Sequence, residues 1–211
     1  MKVFTYHEDL PGYPDCKELL SLWAESWRRH GWEPEILTHD HAKAHPMYEF
    51  MMPAALKLPT TNPQEYELTV YRRWLAMGSV GGGLMVDNDV INYGYRPRDL
   101  VCACCPPAFP SRPIAICPHK VPCAVFASPA HCEEFAHAFI QTAAHCEKII
   151  HTGDMQILCK LDMETRPVVV SVYKPGWKEA YLVHYAWRAI FDVTQTRPVL
   201  KAEIIKKEKP I

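Results

Sequence analysis

The most informative stretch of this 211-residue sequence is Gly81-Gly82-Gly83-Leu84-Met85-Val86-Asp87-Asn88-Asp89. Its glycines predict a turn, and the apolar run Leu84–Val86 predicts a buried central strand. Two carboxylates follow that strand, and they are costly to place there unless a positive group neutralises them. Oxygen ligands of this kind suit Mg2+ or Mn2+. Asp-Asn-Asp is also good turn chemistry, so the residues alone leave a metal site and a polar turn as nearly equal alternatives.

An amphipathic helix is predicted immediately before this stretch. Asn62 and Pro63 suit the cap and the first helical position, Glu65 completes a capping box, and Gly78 is expected to end the helix. The expected buried face carries three apolar residues at helical spacing, namely Val70, Trp74 and Met77.

The N-terminal residues predict a β-α-β unit. Val3–Tyr6 and Glu35–Thr38 have strand character, and an apolar helix face lies between them, with Gly31 as its stop signal. Such a unit builds a parallel sheet through a right-handed crossover.

The second half predicts shorter elements. Helices are expected after Ser128-Pro129 and over Gly153–Leu161. Strands are expected at Leu100–Ala103, Ile114–Ile116, Val121–Ala127, Pro167–Tyr173 and Ala180–Tyr185.

Composition excludes several classes of protein. The chain has 23 Lys and Arg against 24 Asp and Glu, so no global basic field exists to bind a nucleic acid. No stretch is long and apolar enough for a transmembrane segment, and Met1–Asp9 does not resemble a signal peptide, which predicts a cytoplasmic protein.

The nine cysteines are an odd number in a chain too large to need a disulfide scaffold. We therefore expect reduced, mostly buried thiols, with a zinc site as the minority alternative for the cluster Cys102, Cys104, Cys105, Cys117 and Cys123.

The helix and the glycine stretch resemble the core of GT-A glycosyltransferases, in particular their sugar-binding region with a DXD motif. The residues that carry the resemblance are Tyr71-Arg72-Arg73-Trp74-Leu75-Ala76-Met77 and Gly81 to Val90. The family pattern is an arginine-bearing helix, a Gly-Gly turn, an apolar strand and Asp-x-Asp. The close match covers roughly residues 62–95, with a looser match over most of the chain. The third glycine departs from the pattern, so either Arg72 or Arg73 can take the family's role near the donor.

The resemblance implies an α/β fold with a single GT-A-like domain, in which helices flank a mostly parallel central sheet. It implies a nucleotide-binding half over residues 1–95 and an acceptor half over residues 96–200. Residues 201–211 are then a tail or linker, as in a piece of a longer chain.

The resemblance also implies a metal-dependent reaction. Asp89, and Asp87 directly or through water, are expected to hold Mn2+ or Mg2+ against the diphosphate of a nucleotide-sugar. His184 is expected to be a further ligand of the metal or the diphosphate. The implied donor-binding residues are Thr5, Tyr6, His7, Asp40, Arg72, Arg73 and Asn88. A loop with Lys174, Trp177 and Lys178 is expected to close over the diphosphate.

Asp154 is the candidate catalytic residue on the acceptor side. In an inverting enzyme it would act as general base towards the acceptor hydroxyl, and in a retaining enzyme it would orient sugar and acceptor.

Several of the candidate site residues also have a purely structural alternative. Tyr6 and His184 suit a core, Asp40 suits a solvated turn, and Asp154 suits the N-terminus of a helix. A metal site at His39, His41 and His45 is disfavoured, because no supporting residues are evident around that loop.

The expected function is transfer of a sugar from a nucleotide-diphosphate sugar to a hydroxyl of a glycan acceptor. A UDP-sugar is the favoured donor, and a GDP-sugar is the second choice. Two alternatives stay open: a Mg-dependent nucleotidyltransferase or phosphohydrolase, and a non-catalytic cysteine-rich binding module.

Overall fold

The computed structural model describes residues 1–11, 16–100, 109–117, 121–146, 150–166, 169–171 and 181–185, the segment 169–171 by its backbone alone. Two groups of predictions lie outside these residues: the loop of Lys174, Trp177 and Lys178, and the tail 201–211. Cys102, Cys104 and Cys105 also lie outside them.

The chain begins with the predicted β-α-β unit. Strand β1 (Lys2–Tyr6) pairs in parallel with β2 (Glu33–Leu37), and helix α1 (Lys17–Arg28) connects them. Trp23 and Trp27 are fully buried on α1. The turn after the helix contains Gly31 at a positive φ of 85°.

Helices α2 (His39–Lys43) and α3 (Tyr48–Ala55) precede the long helix α4 (Gln64–Ser79) and strand β3 (Gly83–Val86). The predicted capping box is wrong, because α4 begins at Gln64, Pro63 is its cap residue, and no side chain caps it. Asn62 instead donates a hydrogen bond to the Glu67 carboxylate at 2.7 Å.

Gly78 was predicted to end α4, but it lies inside the helix. A Cβ atom at this position would lie 2.7 Å from Nε2 of His45 and 3.1 Å from Cβ of Cys132. The glycine therefore permits close packing of α4 against its neighbours.

The remaining elements are short, apart from one helix. They are β4 (Val90–Asn92), α5 (Pro97–Leu100), β5 (Ile114–Ala115), β6 (Ala124–Ala127), α6 (Pro129–Ala143), α7 (Asp154–Leu158), β7 (Glu164–Thr165), β8 (Val169–Ser171) and β9 (Leu182–His184). Leu100 was predicted to begin a strand, but it is the last residue of helix α5. The predicted start of α6 is confirmed, because Ser128 accepts a hydrogen bond from the backbone N–H of His131.

The central sheet has the strand order β2-β1-β3-β6-β5-β7. Strand β1 pairs in parallel with β2 and β3, and β5 with β7, whereas β6 is antiparallel to both of its neighbours. A second sheet has the order β4-β9-β8. The expected α/β architecture, with a mostly parallel six-stranded sheet flanked by helices, is confirmed.

Consecutive residues of the central strands enter two different cores. One core contains Phe4, Met85 and Val125 together with buried residues of α3, α4 and α6. The other contains Val3 and Leu84 with the tryptophans of α1 and residues of the second sheet. The alternation follows from the two-residue period of a strand, and it covers both faces of the sheet. Among the described residues, the structure contains no helix that could cross a membrane.

The expectation of reduced cysteines is wrong for one pair. Cys117 and Cys123 form a disulfide, with their Cα atoms 6.7 Å apart. Cys16 and Cys132 are buried and outside any disulfide, as expected. The disulfide closes the connection between β5 and β6, and β6 pairs with β3, the strand directly before Asp87.

Candidate functional site

Asp87 and Asp89 lie in a turn at the carboxyl end of β3. The backbone N–H of Val90 donates to the carbonyl of Asp87 at 3.0 Å, and the N–H of Asp87 donates to the carbonyl of Cys123 at 2.8 Å. The Asp-Asn-Asp stretch therefore forms the polar turn that was one of the two alternatives. The turn does not exclude the other alternative, a metal site, because it brings the two carboxylates close together.

His184 reaches these carboxylates through the second sheet. Strands β4 and β9 are antiparallel, and Val90 is in register with His184. Nε2 of His184 lies 3.4 Å from Oδ1 of Asp89 and 3.9 Å from Oδ2 of Asp87. One candidate ligand atom from each of the three residues lies within 4.8 Å of the others. We call these three residues the Asp-Asp-His cluster.

The chemistry of this cluster fits a divalent cation. Oδ1 of Asp89 is buried, and the group that faces it is Nε2 of His184 at the long distance of 3.4 Å. A weakly satisfied buried carboxylate oxygen is costly without a further positive group. Carboxylate and imidazole groups are common ligands of divalent metals, and carboxylates in particular suit Mg2+ and Mn2+. In the described part of the chain, no other group of His, Cys, Asp and Glu side chains has this proximity.

The pKa values of the cluster reflect its crowding. Burial raises the pKa of Asp87, and the neighbouring Asp89 raises it further, while Arg73 and His184 oppose the shift. Burial lowers the pKa of His184, but the carboxylates of Asp89 and Asp87 outweigh this, so the pKa is raised overall. A bound cation would stabilise the charged carboxylates in this surrounding.

Arg73 on α4 supplies a positive charge to the site. Its Nη1 donates to Oδ1 of Asp87 at 2.6 Å, and its Nη2 donates to Oδ2 of Asp154. Its guanidinium group also lies 5.6 Å from the ring centroid of Trp74. Burial lowers the pKa of Arg73, but Asp154 and Asp87 raise it more, so this side chain is a permanent cation.

Asp154 is the first residue of α7 and is 5% exposed. Besides Arg73, the indole Nε1 of Trp74 donates to the same carboxylate oxygen at 3.1 Å. The carboxylate is thus held by two donors from consecutive residues of α4.

A cavity of about 200 Å³ opens beside the cluster, between the carboxyl ends of β1 and β3 and one face of α4. We call it the β1–β3 cavity. The sequence-predicted residues that line it are Thr5, Tyr6, His7, Arg73, Asp87, Asn88 and Asp89. Arg73 reaches this cavity, whereas neither Arg72 nor Asp154 is among its lining residues. Oγ1 of Thr5 is buried there without a hydrogen-bond partner from the described residues.

Glu8 is a lining residue that the sequence reasoning missed. The Tyr6 hydroxyl donates to its Oε1, and Nη1 of Arg72 donates to its Oε2 at 2.9 Å. Nδ1 of His39 lies 4.0 Å from the same oxygen. Arg72 therefore fixes a carboxylate at the edge of the cavity. The sequence could have indicated Glu8 as a site residue, because it directly follows Thr5, Tyr6 and His7, which were predicted to bind the donor.

Asp40 is separate from this site. Its side chain is 90% exposed, and its nearest charged partner is Lys43 on the same helix, at 3.6 Å. The three nearby histidines also have other partners: His39 bonds to Tyr48, His41 to Thr38, and His45 accepts from the backbone N–H of Met47.

Comparison with known proteins gives a family model and similar solved structures. A family model described as "Domain of unknown function (DUF8765)" matches residues 14–103, which include the turn of Asp87 and Asp89. No curated protein matches the sequence. Among solved structures, the chain is similar to a glycosyltransferase involved in the glycosylation of the major capsid of PBCV-1. The TM-score is 0.57 at 11% identity, and the similarity covers 97% of this chain and 98% of the other. The fold is glycosyltransferase-like.

Proposed function

We propose that the protein is a metal-dependent glycosyltransferase that transfers a sugar from a nucleotide-diphosphate sugar to a hydroxyl of a glycan acceptor. The main observation in support is the Asp-Asp-His cluster beside the β1–β3 cavity in a glycosyltransferase-like fold. Ligand sites of α/β proteins generally lie at the carboxyl ends of the strands, where this cavity is found.

The charges around the cavity support metal dependence. Four carboxylates line it, those of Glu8, Asp9, Asp87 and Asp89, and both Nη atoms of Arg73 are already bonded to aspartates. A diphosphate would be repelled by this surface unless a cation intervened. Asp87, Asp89 and His184 are the residues that would hold Mn2+ or Mg2+. Such an ion, when bound, supplies Lewis-acid stabilisation of the leaving diphosphate.

The lining residues of β1 suit the nucleoside. Tyr6 presents a ring for stacking, although its hydroxyl is engaged by Glu8. Glu8 can accept hydrogen bonds from ribose hydroxyls or base N–H groups, and the buried Thr5 hydroxyl has no hydrogen-bond partner among the described residues. Asn88 and His7 add polar contacts. A UDP-sugar is the proposed donor, with a GDP-sugar as the second choice.

The division into a nucleotide-binding half (1–95) and an acceptor half (96–200) is part of the proposal. The cavity and both aspartates of the cluster belong to the first half, and His184 comes from the second. The role of Asp40 in donor binding has no support from its exposed position.

Hydrolysis of the donor tests the proposal and its main alternative together. Purified protein is incubated with a panel of nucleotide-sugars with Mn2+, with Mg2+ or with a chelator. Metal-dependent release of free sugar and nucleoside diphosphate is expected, at a low rate, since water replaces the acceptor. Release of sugar phosphate and nucleoside monophosphate would instead indicate a phosphohydrolase and contradict the proposal.

Matched variants locate the activity in the cluster. Asp89→Asn is expected to abolish sugar release. Asp162→Asn is the control, because this carboxylate pairs with Arg112 at 3.0 Å on the exposed surface, outside the site. Equal activity of both variants would place the reaction elsewhere.

A further inference from the structure

We propose that Asp154 is a positioning residue that acts through Arg73 to fix the Asp87 carboxylate as a metal ligand. The inference rests on the proposed function, because it concerns the same metal site. It assigns Asp154 a role different from the general base that the sequence resemblance implies.

The first argument is the bridging geometry of Arg73. One side-chain nitrogen donates to Asp87 and the other to Asp154, so a single guanidinium group links the two carboxylates. A planar guanidinium with two occupied donors restricts the orientation of each partner. Asp87 therefore has one oxygen bound to Arg73, and its Oδ2 lies towards His184.

The second argument is that Asp154 is itself rigidly held. Trp74 donates to it, and the Trp74 ring stacks on Phe135 with centroids 4.5 Å apart. The segment before Asp154 is tied down as well. The backbone carbonyl of Thr152 accepts a hydrogen bond from the Tyr71 hydroxyl, and the backbone N–H of Thr152 donates to the carbonyl of Pro59 at 3.1 Å.

The third argument concerns access to an acceptor. A general base must contact the hydroxyl that it deprotonates. Asp154 is 5% exposed, is not among the residues that line the β1–β3 cavity, and has one oxygen shared by two donors. The bond to Arg73 fits a positioning role, and the burial and the two donors leave Asp154 poorly placed to reach an acceptor hydroxyl in the cavity.

The bridge gives the expected direction of the effect. Asp154 holds one nitrogen of Arg73 away from Asp87. Without it, the guanidinium can turn both nitrogens onto Asp87 and occupy the carboxylate oxygens that a cation would use. Neutralising Asp154 should therefore weaken metal binding even though Asp154 contacts no metal. Removing the partners of metal ligands commonly reduces affinity by about 10–100-fold.

The experiment measures the Mn2+ dissociation constant by calorimetry, without any sugar donor. The variants are Asp154→Asn, Arg73→Met and the double variant, with Asp162→Asn as the control for loss of an arginine-paired carboxylate elsewhere. Asp154→Asn should raise the dissociation constant about tenfold. The double variant should bind no more weakly than Arg73→Met, because Asp154 acts only through Arg73. Circular dichroism verifies that each variant is folded.

Three results would overturn the inference. Wild-type affinity in folded Asp154→Asn, together with a loss of kcat at unchanged KM, would identify a general base. An additive loss in the double variant would show that Asp154 acts independently of Arg73. Wild-type protein that binds no Mn2+ would overturn both this inference and the proposed function. The first two results would overturn this inference alone, so the two failures are distinguishable. If Asp154→Asn does not fold, Arg73→Lys replaces it. This variant keeps the charge but lacks the longer planar guanidinium that links the two carboxylates, and wild-type Mn2+ affinity in it would contradict the inference.

Discussion

Nε2 of His184 lies 3.4 Å from Oδ1 of Asp89, although the two residues are on different strands and far apart in the sequence. The antiparallel pairing of β4 with β9 places them together, because His184 is in register with Val90. The N–H of Tyr185 also donates to the Asp89 carbonyl at 2.9 Å. The metal site proposed here thus depends on the second sheet as much as on the Asp-Asn-Asp turn.

Glu8→Gln should weaken binding of a nucleoside diphosphate in the presence of Mn2+. The change replaces the charged acceptor proposed for ribose hydroxyls or base N–H groups with a neutral amide, and it turns the ion pair with Arg72 at 2.9 Å into a neutral-acceptor hydrogen bond. Hydrogen bonds to charged groups contribute about 1.5–3 kcal/mol, so we expect a loss of at least about tenfold in affinity by calorimetry. The control is Glu35→Gln, which removes an ion pair with Lys2 outside the cavity. Unchanged affinity in Glu8→Gln would exclude Glu8 from donor binding.

The glycine turn before β3 offers a matched pair of stability variants. Gly81 and Gly82 both have positive φ, but a Cβ at Gly81 meets open space, whereas one at Gly82 would lie 2.5 Å from the carbonyl oxygen of Ala127. Gly81→Ala should cost about 1–2 kcal/mol from backbone strain alone. Gly82→Ala should cost at least about 1 kcal/mol more, because β6 must also move. Urea unfolding measures both free-energy costs, and equal costs would contradict the close approach of Gly82 to Ala127 of β6.

His45 should make the fold sensitive to mild acid. Burial lowers the pKa of His45, although Glu133 opposes the shift, and its Nδ1 accepts a hydrogen bond, which requires the neutral ring. The folded state therefore binds a proton less readily than the unfolded chain. The stability contribution is fully present above the unfolded pKa and is lost as the pH falls through the lower folded pKa.

The variant His45→Asn keeps an acceptor and removes this titration. Its Tm should fall less than that of the wild type between about pH 7.5 and about pH 5, on either side of the ordinary histidine pKa. His137→Asn, at a 58% exposed histidine, is the control and should behave as the wild type. A similar fall of Tm in all three proteins would show that His45 carries no such penalty.

The cysteines should differ in reactivity. Burial raises the pKa of Cys132 to about 12, so its thiol should resist iodoacetamide at mildly alkaline pH. Cys159 is exposed and should be alkylated in the folded protein. Cys117 and Cys123 should react only after reduction and unfolding. Peptide mass spectrometry reads out each site, and rapid alkylation of unreduced Cys117 would contradict the disulfide.

Local sequence patterns predicted β1 and α1 well, because β1 is a short buried apolar run and α1 buries one apolar face at helical spacing. The short helices α2 and α3 were not predicted, and residues 38–41 were expected to form a polar turn. The turn of Asp87 and Asp89 was likewise evident from a buried strand followed by two carboxylates. The start of α4 was mispredicted, because the Asn62 amide binds the buried Glu67 and does not cap the helix.

The bridging role of Arg73 could not be predicted from local patterns. It depends on where α7 places Asp154 relative to α4, and that placement comes from packing between segments distant in sequence. The same holds for the Cys117–Cys123 disulfide, whose two cysteines flank the antiparallel pairing of β5 with β6. The role of Arg72 was also hidden, because its partner Glu8 lies at the end of a different element.

The most direct test of the central proposal is the metal-dependent stabilisation of the protein by a nucleoside diphosphate. Tm is measured for wild-type protein, Asp89→Asn and the control Asp162→Asn, with UDP or GDP, in the presence and absence of Mn2+. The proposal predicts that UDP or GDP raises Tm by several degrees only with Mn2+, in the wild type and the control but not in Asp89→Asn. An equal Mn2+-dependent rise in Asp89→Asn would contradict it.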